Sequence, residues 1–218
     1  AGGGMAQGAD VILVLAMLLN LLVLGSSRLR ACIRAVAFQG VLLSLLPLLL
    51  HQGGLVAHMV ALSVGMLALK GFLFPWLLLR TLRDGSMRTE IEPLIGFTVS
   101  LLVGAIATVV AFLLSSRLPP LPSMASSLLV PAAMATLLIS LVVLVSRTKA
   151  LTQVLGYLML ENGIFLFGLT LVHSMPLLVE LGVLLDLFAG VFIMGIVIYH
   201  ISREFDHIDT YHLTTLKD

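Results

Sequence analysis

Charge is what this chain has least of. Asp, Glu, Lys and Arg make up 11% of its 218 residues, against roughly 25% in an average soluble domain. Too few polar side chains remain to clothe a soluble fold, whereas 60% hydrophobic residues and a mean hydropathy of +1.16 suit a bilayer. A formal net charge of +1 leaves no bulk electrostatic case for nucleic acid. The single cysteine, Cys32, excludes an internal disulfide and any cysteine-clustered metal or iron–sulfur site. Gly-rich phosphate loops, GxSxG, HExxH and CxxC are all missing. The stretches between the apolar runs are too short to build a catalytic domain. The chain is therefore expected not to be an enzyme by itself, with no catalytic residue, no cofactor and no metal of its own.

What is present is a series of long apolar runs. Spanning a bilayer takes about 20 predominantly apolar residues in a helix. Seven runs meet that requirement, over approximately 9–26, 33–50, 55–79, 94–116, 128–146, 154–173 and 177–201. They are continuously apolar rather than alternating in segments of about 10 residues, which excludes a membrane β-barrel. The expected fold is thus all-α, a polytopic membrane protein of about seven helices. The preceding AGGGMAQGAD has neither a basic region nor a cleavage site, so it reads as an uncleaved segment rather than a signal peptide, with Met5 as a candidate start. Separators such as SSRLR, HQGG and RTKALTQ are short, and no linker divides the chain into two soluble domains.

The basic residues test the helix count. In a seven-span arrangement every lysine and arginine except Arg117 and Lys70 falls on one side: Arg28, Arg30 and Arg34; Arg80, Arg83 and Arg88; Arg147 and Lys149; Arg203 and Lys217. The positive-inside rule makes that side cytoplasmic, with the N-terminus outside and the C-terminus inside. Six or eight spans scatter the charges.

Ionisable residues inside spans cost at least about 2.5–3.5 kcal/mol each on the insertion scale and need a reason. Three stand out: Lys70 in LALKGFLFPW, Glu161 in GYLMLENGIFLFG and Asp186 in LGVLLDLFAGVFIMG. At 1.5 Å per residue they lie about 15, 12 and 22 Å from the cytoplasmic ends of their runs, so all three belong to the middle of the bilayer. Gly182, Asp186 and Gly190 recur every fourth residue and share one helix face, where small residues admit water or another helix. Tyr157 and Gly168 flank Glu161, and Asn162 adds a neighbouring amide. Pro75 lacks the N–H that an α-helix needs opposite the Gly71 carbonyl, which predicts a local break beside Lys70. A carboxylate pulled one way by burial and the other by an ammonium is suited to carrying a proton. The competing reading is a static ion pair that locks helices together, although a single pair leaves the third ion unexplained.

Weaker candidates are Glu180, near the outer end of the last run, and His58, near the outer end of the third. His51 and His173 read as solvated helix ends, and Asn20 and Gln39 as interhelical hydrogen bonders. His207, Asp209 and His212 in the tail read as a solvated face rather than a metal site.

GYLMLENGIFLFG followed by LLDLFAGVFIMGIVIYHISREFDHID resembles the hydrogenase-4 component E (HyfE-like) family, membrane subunits of group 4 [NiFe] hydrogenase complexes, including formate hydrogenlyase-type assemblies. The last three runs are also similar to the three-helix NuoK subunit of respiratory complex I and to MrpC of cation/proton antiporters. The resemblance covers roughly residues 150–210. It implies an N-terminal four-helix membrane region over 1–127, a NuoK-like three-helix region over 128–201 and a cytoplasmic tail over 202–218. It also implies that Glu161 matches the second-helix acid of a charged membrane axis. Asp186 matches the third-helix acid in role and depth but not in residue type or spacing, and Lys70 has no counterpart in the resemblance.

The function so implied is a non-catalytic membrane-arm subunit of a complex I-related oxidoreductase, in a bacterial or archaeal cytoplasmic (inner) membrane. Glu161, Asp186 and Lys70, with Glu180 and His58, would contribute to proton or sodium translocation. Its partners would be antiporter-like and other membrane-arm subunits, peripheral [NiFe] hydrogenase and iron–sulfur subunits, and the lipid bilayer. A purely structural scaffold is one alternative. An autonomous small transporter is another, weakened by the lack of an internal repeat and of paired discontinuous helices.

The charge asymmetry makes a direct topological prediction. A fluorescent protein fused after Asp218 is expected to fluoresce, and alkaline phosphatase inserted after Arg117 to be active. The reverse pattern would overturn the orientation.

Overall fold

Every regular element among the described residues is helical, as continuous apolar sequence in lipid demands: a helix satisfies its own backbone donors and acceptors where no water can. The computed structural model describes residues 2–50, 57–84, 96–118, 126–147 and 150–171, together with Gly190 and Gly195. Helix α1 covers Gly2–Gly25 and α2 Leu29–Leu50. A continuous helical rod follows, made of α3 (Ala57–Met66), a π-helical segment (Leu67–Leu73) and α4 (Phe74–Asp84). Then come α5 (Phe97–Ser115), α6 (Leu129–Ser146) and α7 (Ala150–Leu171).

Among the described residues, five stretches are long and apolar enough to cross a membrane: Gln7–Gly25, Leu29–Leu50, Ser63–Arg80, Phe97–Ser115 and Leu129–Ser146. They match the first five expected runs. The sixth expected run falls on the 22-residue helix α7, which carries Glu161 and Asn162 at mid-length and is not among those five stretches; the seventh lies almost wholly outside the described residues. Several helices outrun their apolar stretches. Leu29 begins α2, so Arg30 and Arg34 sit on its first turns rather than in a connection, and Arg80 and Arg83 ride on α4. Backbone pairing continues into the interfacial region, where basic side chains reach water.

The distribution of polarity is inverted relative to a soluble protein. Val11, Leu18, Phe72, Trp76, Leu102, Ile106, Leu113 and Val145 are exposed, whereas Asn20, Gln39, Lys70, Ser100, Thr136, Ser140, Glu161 and Asn162 are buried. Lipid solvates the former at no cost, and the latter must find partners within the bundle. The chain is a multi-pass membrane protein.

Small residues set the helix spacing. A Cβ added at Gly163 would stand 3.0 Å from the backbone nitrogen of Leu137, and one at Gly156 would stand 3.1 Å from that of Leu144, so α7 lies directly against the α6 backbone. A Cβ at Gly40 would meet the Lys70 Cβ at 2.7 Å, and one at Gly71 would meet Val41 Cγ2 at 2.9 Å, which brings α2 hard against the π segment. In lipid such close approach does what hydrophobic burial does in water.

One end of the bundle is tied by Arg147. Expected in a connection between two runs, it is instead 2% exposed. It donates from Nη2 to the Leu24 carbonyl at 2.7 Å and lies 5.2 Å from the Phe97 ring. It thereby joins the C-termini of α1 and α6 to the start of α5 and supplies a cation to the negative end of α1. Burial lowers its pKa from the ordinary arginine value, with neighbouring Cys32 opposing that shift. At the opposite end Ser126 donates to Asp10 Oδ1 at 2.5 Å, linking the entry to α6 with α1. Arg117, at the far end of α5 from Phe97, lies at this second end.

Gly40→Ala is expected to destabilise the protein by about 1–3 kcal/mol through overpacking against the lysine stem, read as a lower Tm in detergent. Gly65→Ala, with open space around it, is the matched control expected to show no loss. Arg147→Met removes the cap on α1 and is expected to cost about 1–3 kcal/mol in the same assay; an unchanged Tm would show that this tie carries no stability.

Candidate functional site: a buried charge pair in a polar layer

Lys70 is the one buried residue of the π segment; Phe72 and Leu73 beside it face outward. The break expected at Pro75 takes the form of this register change, seen where the Phe74 N–H bonds to the Leu69 carbonyl five residues back. A π turn has a wider girth than an α turn and re-aims its side chains. Here it directs the lysine inward between α2 and α7.

Lys70 Nζ lies 3.0 Å from Glu161 Oε1, with both side chains at most 5% exposed. It also donates to Asn162 Oδ1 at 3.0 Å and stands 5.6 Å from the Phe165 ring. The ammonium is thus held by a carboxylate, an amide oxygen and an aromatic face. Glu161 is less well provided for. Among the described residues neither of its buried oxygens receives a hydrogen bond, so its contact with Lys70 meets ion-pair distance without hydrogen-bond alignment. A buried carboxylate in that condition depends heavily on the cation beside it.

From Asn162 the polar contacts run on across the bundle. Asn162 Nδ2 donates to Gln39 Oε1 at 3.3 Å, and Gln39 Nε2 donates to Asn20 Oδ1 at 2.8 Å and to the Ala16 carbonyl at 3.3 Å. Asn20 Nδ2 donates to Thr136 Oγ1 at 2.8 Å, and Thr136 donates to the Ala132 carbonyl at 2.8 Å. Four helices beyond the π segment, α7, α2, α1 and α6, contribute to this single polar layer.

A narrow cleft of about 10 Å³, room for roughly one water molecule, lies beside Lys70. Ile33, Val36 and Ala37 of α2, Phe74, Pro75 and Leu78 of the rod, and Leu155 and Leu158 of α7 form apolar walls, with Lys70 and Asn162 among its lining. A Cβ added at Gly190 would lie 3.4 Å from the Phe74 ring, which places that glycine against the same region.

The structure therefore brings together two of the residues singled out by depth in sequence, Lys70 and Glu161. Asn20 and Gln39 are interhelical hydrogen bonders, as read from sequence. His58 falls on the first turn of α3, about 18 Å along the rod from Lys70. Asp186 and Glu180 lie outside the described residues, as do His51, His173, His207, Asp209 and His212. Thr136 was missed in the sequence; its one signal is a hydroxyl one turn from Ser140 within an apolar run, a pattern shared by many membrane helices that bond only to their own backbone. Among the described residues no group of three His, Cys, Asp or Glu could hold a metal ion.

No protein-family model matches the chain, and no solved structure matches it. Over 120 residues it is 32% identical to the protein named hydrogenase-4 component E in Escherichia coli strain K12, and equally to that of Shigella flexneri; the match spans 55% of this chain and 55% of each relative. Over 203 residues it is 34% identical to the uncharacterized protein Rv0085 of Mycobacterium tuberculosis (strain ATCC 25618 / H37Rv), spanning 93% of this chain and 92% of that protein. With nearly the whole of both sequences aligned, the chain belongs to the same family as Rv0085.

Proposed function

We propose that the chain is a non-catalytic membrane subunit of a hydrogenase-type complex, and that Lys70 and Glu161 form part of its path for protons or sodium ions. The observation that carries the ion path is the buried Lys70–Glu161 pair, whose carboxylate oxygens accept no hydrogen bond among the described residues. The similarity to hydrogenase-4 component E, over 55% of each chain, supports the hydrogenase-type setting. The finer setting is a group 4 [NiFe], complex I-related or formate hydrogenlyase-type assembly in a cytoplasmic membrane. Its partners are antiporter-like membrane subunits and peripheral [NiFe] and iron–sulfur subunits, with seven spans and an inside C-terminus for this chain. That setting rests on the resemblance of residues 150–210 and on the charge asymmetry.

The mechanism is electrostatic. Protonation of Glu161 removes a negative charge from beside Lys70, and a second carboxylate then gains by ionising or by drawing in a cation. Asp186 is the first candidate for that second group and Glu180 the next. Redox chemistry stays in other subunits; this chain passes on charge.

In the intact complex Glu161→Gln is expected to preserve assembly and to lower ion translocation per hydrogen turned over by about 10²-fold, measured in proteoliposomes. Unchanged translocation in a normally assembled complex would remove Glu161 from the path. The scaffold reading draws on the fact that Lys70 already has close partners in Glu161 and Asn162. It expects Glu161→Gln and Asp186→Asn to impair assembly ahead of coupling, which native gels of the same preparations would reveal.

A further inference from the structure

The amide contacts behind Lys70 share one direction. Lys70 donates to Asn162, Asn162 to Gln39, Gln39 to Asn20, Asn20 to Thr136, and Thr136 to the Ala132 carbonyl. Chemistry at both ends makes this order obligatory. An ammonium has only donors, so the group facing it must present an oxygen. With its oxygen turned to Lys70, Asn162 directs its NH₂ to the Gln39 oxygen, and Gln39 in turn directs its NH₂ to the Asn20 oxygen. At the far end main-chain carbonyls only accept: Ala132 takes the Thr136 hydroxyl, and Ala16 takes a second bond from Gln39. Reversing any amide sets two like groups against each other in a layer where water is scarce and an unmade bond is expensive.

We propose that Asn162, Gln39, Asn20 and Thr136 act as positioning residues: a one-way hydrogen-bond relay, anchored on the backbones of α6 and α1, that holds the Lys70 ammonium in place against Glu161. The relay does not itself carry protons, because a carboxamide N–H is not released and replaced from the other side as a carboxyl or water proton is. Polarised in series, its bonds strengthen one another and present oxygen to the cation. Asn20 and Thr136 thereby influence an ammonium that neither touches. The functional consequence rests on the ion-path reading above; the relay itself is a property of the folded chain.

The test separates the two. The full chain is placed in lipid nanodiscs with ¹⁵N-labelled lysine, asparagine and glutamine, and side-chain hydrogen exchange is followed by NMR. Lys149 and Lys217, the other lysines, serve as internal references. Thr136→Val removes one hydroxyl with little change of shape. It is expected to move the Asn20, Gln39 and Asn162 carboxamide resonances. It is also expected to speed exchange of the Lys70 ammonium on the order of fivefold, the factor corresponding to one net hydrogen bond. Asn20→Leu is expected to act in the same direction. Ser140→Ala, which removes a hydroxyl bonded among the described residues only to the nearby Leu137 carbonyl, is expected to leave Lys70 unchanged. Unaltered Lys70 exchange in folded Thr136→Val protein would overturn the relay while leaving the Glu161→Gln result to stand or fall alone. An equal effect from Ser140→Ala would also overturn it, by showing that any change in α6 reaches the lysine.

Discussion

An ammonium buried among helices can give hydrogen bonds but cannot take them, and most of the polar layer follows from that asymmetry at Lys70. Glu161 stands beside it as counter-charge, and Asn162 must turn its oxygen toward it. The remaining amides then have a single workable orientation until the contacts end on carbonyls of α6 and α1. In water each of these groups would be worth little to its neighbour. In a bundle surrounded by lipid the alternative to a protein partner is no partner, so the layer binds five parts of the fold at one depth.

Holding the lysine there takes an irregular helix and a missing side chain. The π segment turns Lys70 inward while its neighbours Phe72 and Leu73 face out. Gly40 gives up a Cβ so that the lysine stem can lie on the α2 backbone, and Gly71 does the same beside Val41. The same segment thus packs tightly on α2 and, through Lys70, joins Phe74, Pro75 and Leu78 in lining the cleft.

The ends of the bundle are secured differently from its middle. Arg147 is drawn under the terminus of α1, where a cation meets the negative end of a helix, and Ser126 meets Asp10 at the opposite end. Between them lie apolar cores on either side of the polar layer. Val23, Leu29, Ile33, Leu78 and Leu155 belong to one, and Leu13, Leu43, Leu46, Ala133 and Leu166 to the other. The layer therefore lies between two apolar clusters, with the narrow cleft beside Lys70.

Much of this was legible in the residues. Hydropathy and helical rise are local properties, so the sequence by itself determined that the chain is an all-helical membrane protein. It likewise determined roughly where each described helix lies, and that Lys70 and Glu161 sit deep in their helices. Pro75 announced a break but not its form, since a π turn and a kink both satisfy a missing N–H. Arg147 read as a loop residue because nothing local reveals that a helix terminus lies above it. Only the tertiary structure decided that Lys70 faces Glu161, that Asn162, Gln39, Asn20 and Thr136 join into one directed chain, and that Gly40 makes room for the lysine. Those outcomes depend on the rotation of each helix about its axis and on which helix lies next to which. Both are set by small residues packing across long sequence separations, a relation that no single stretch of sequence contains.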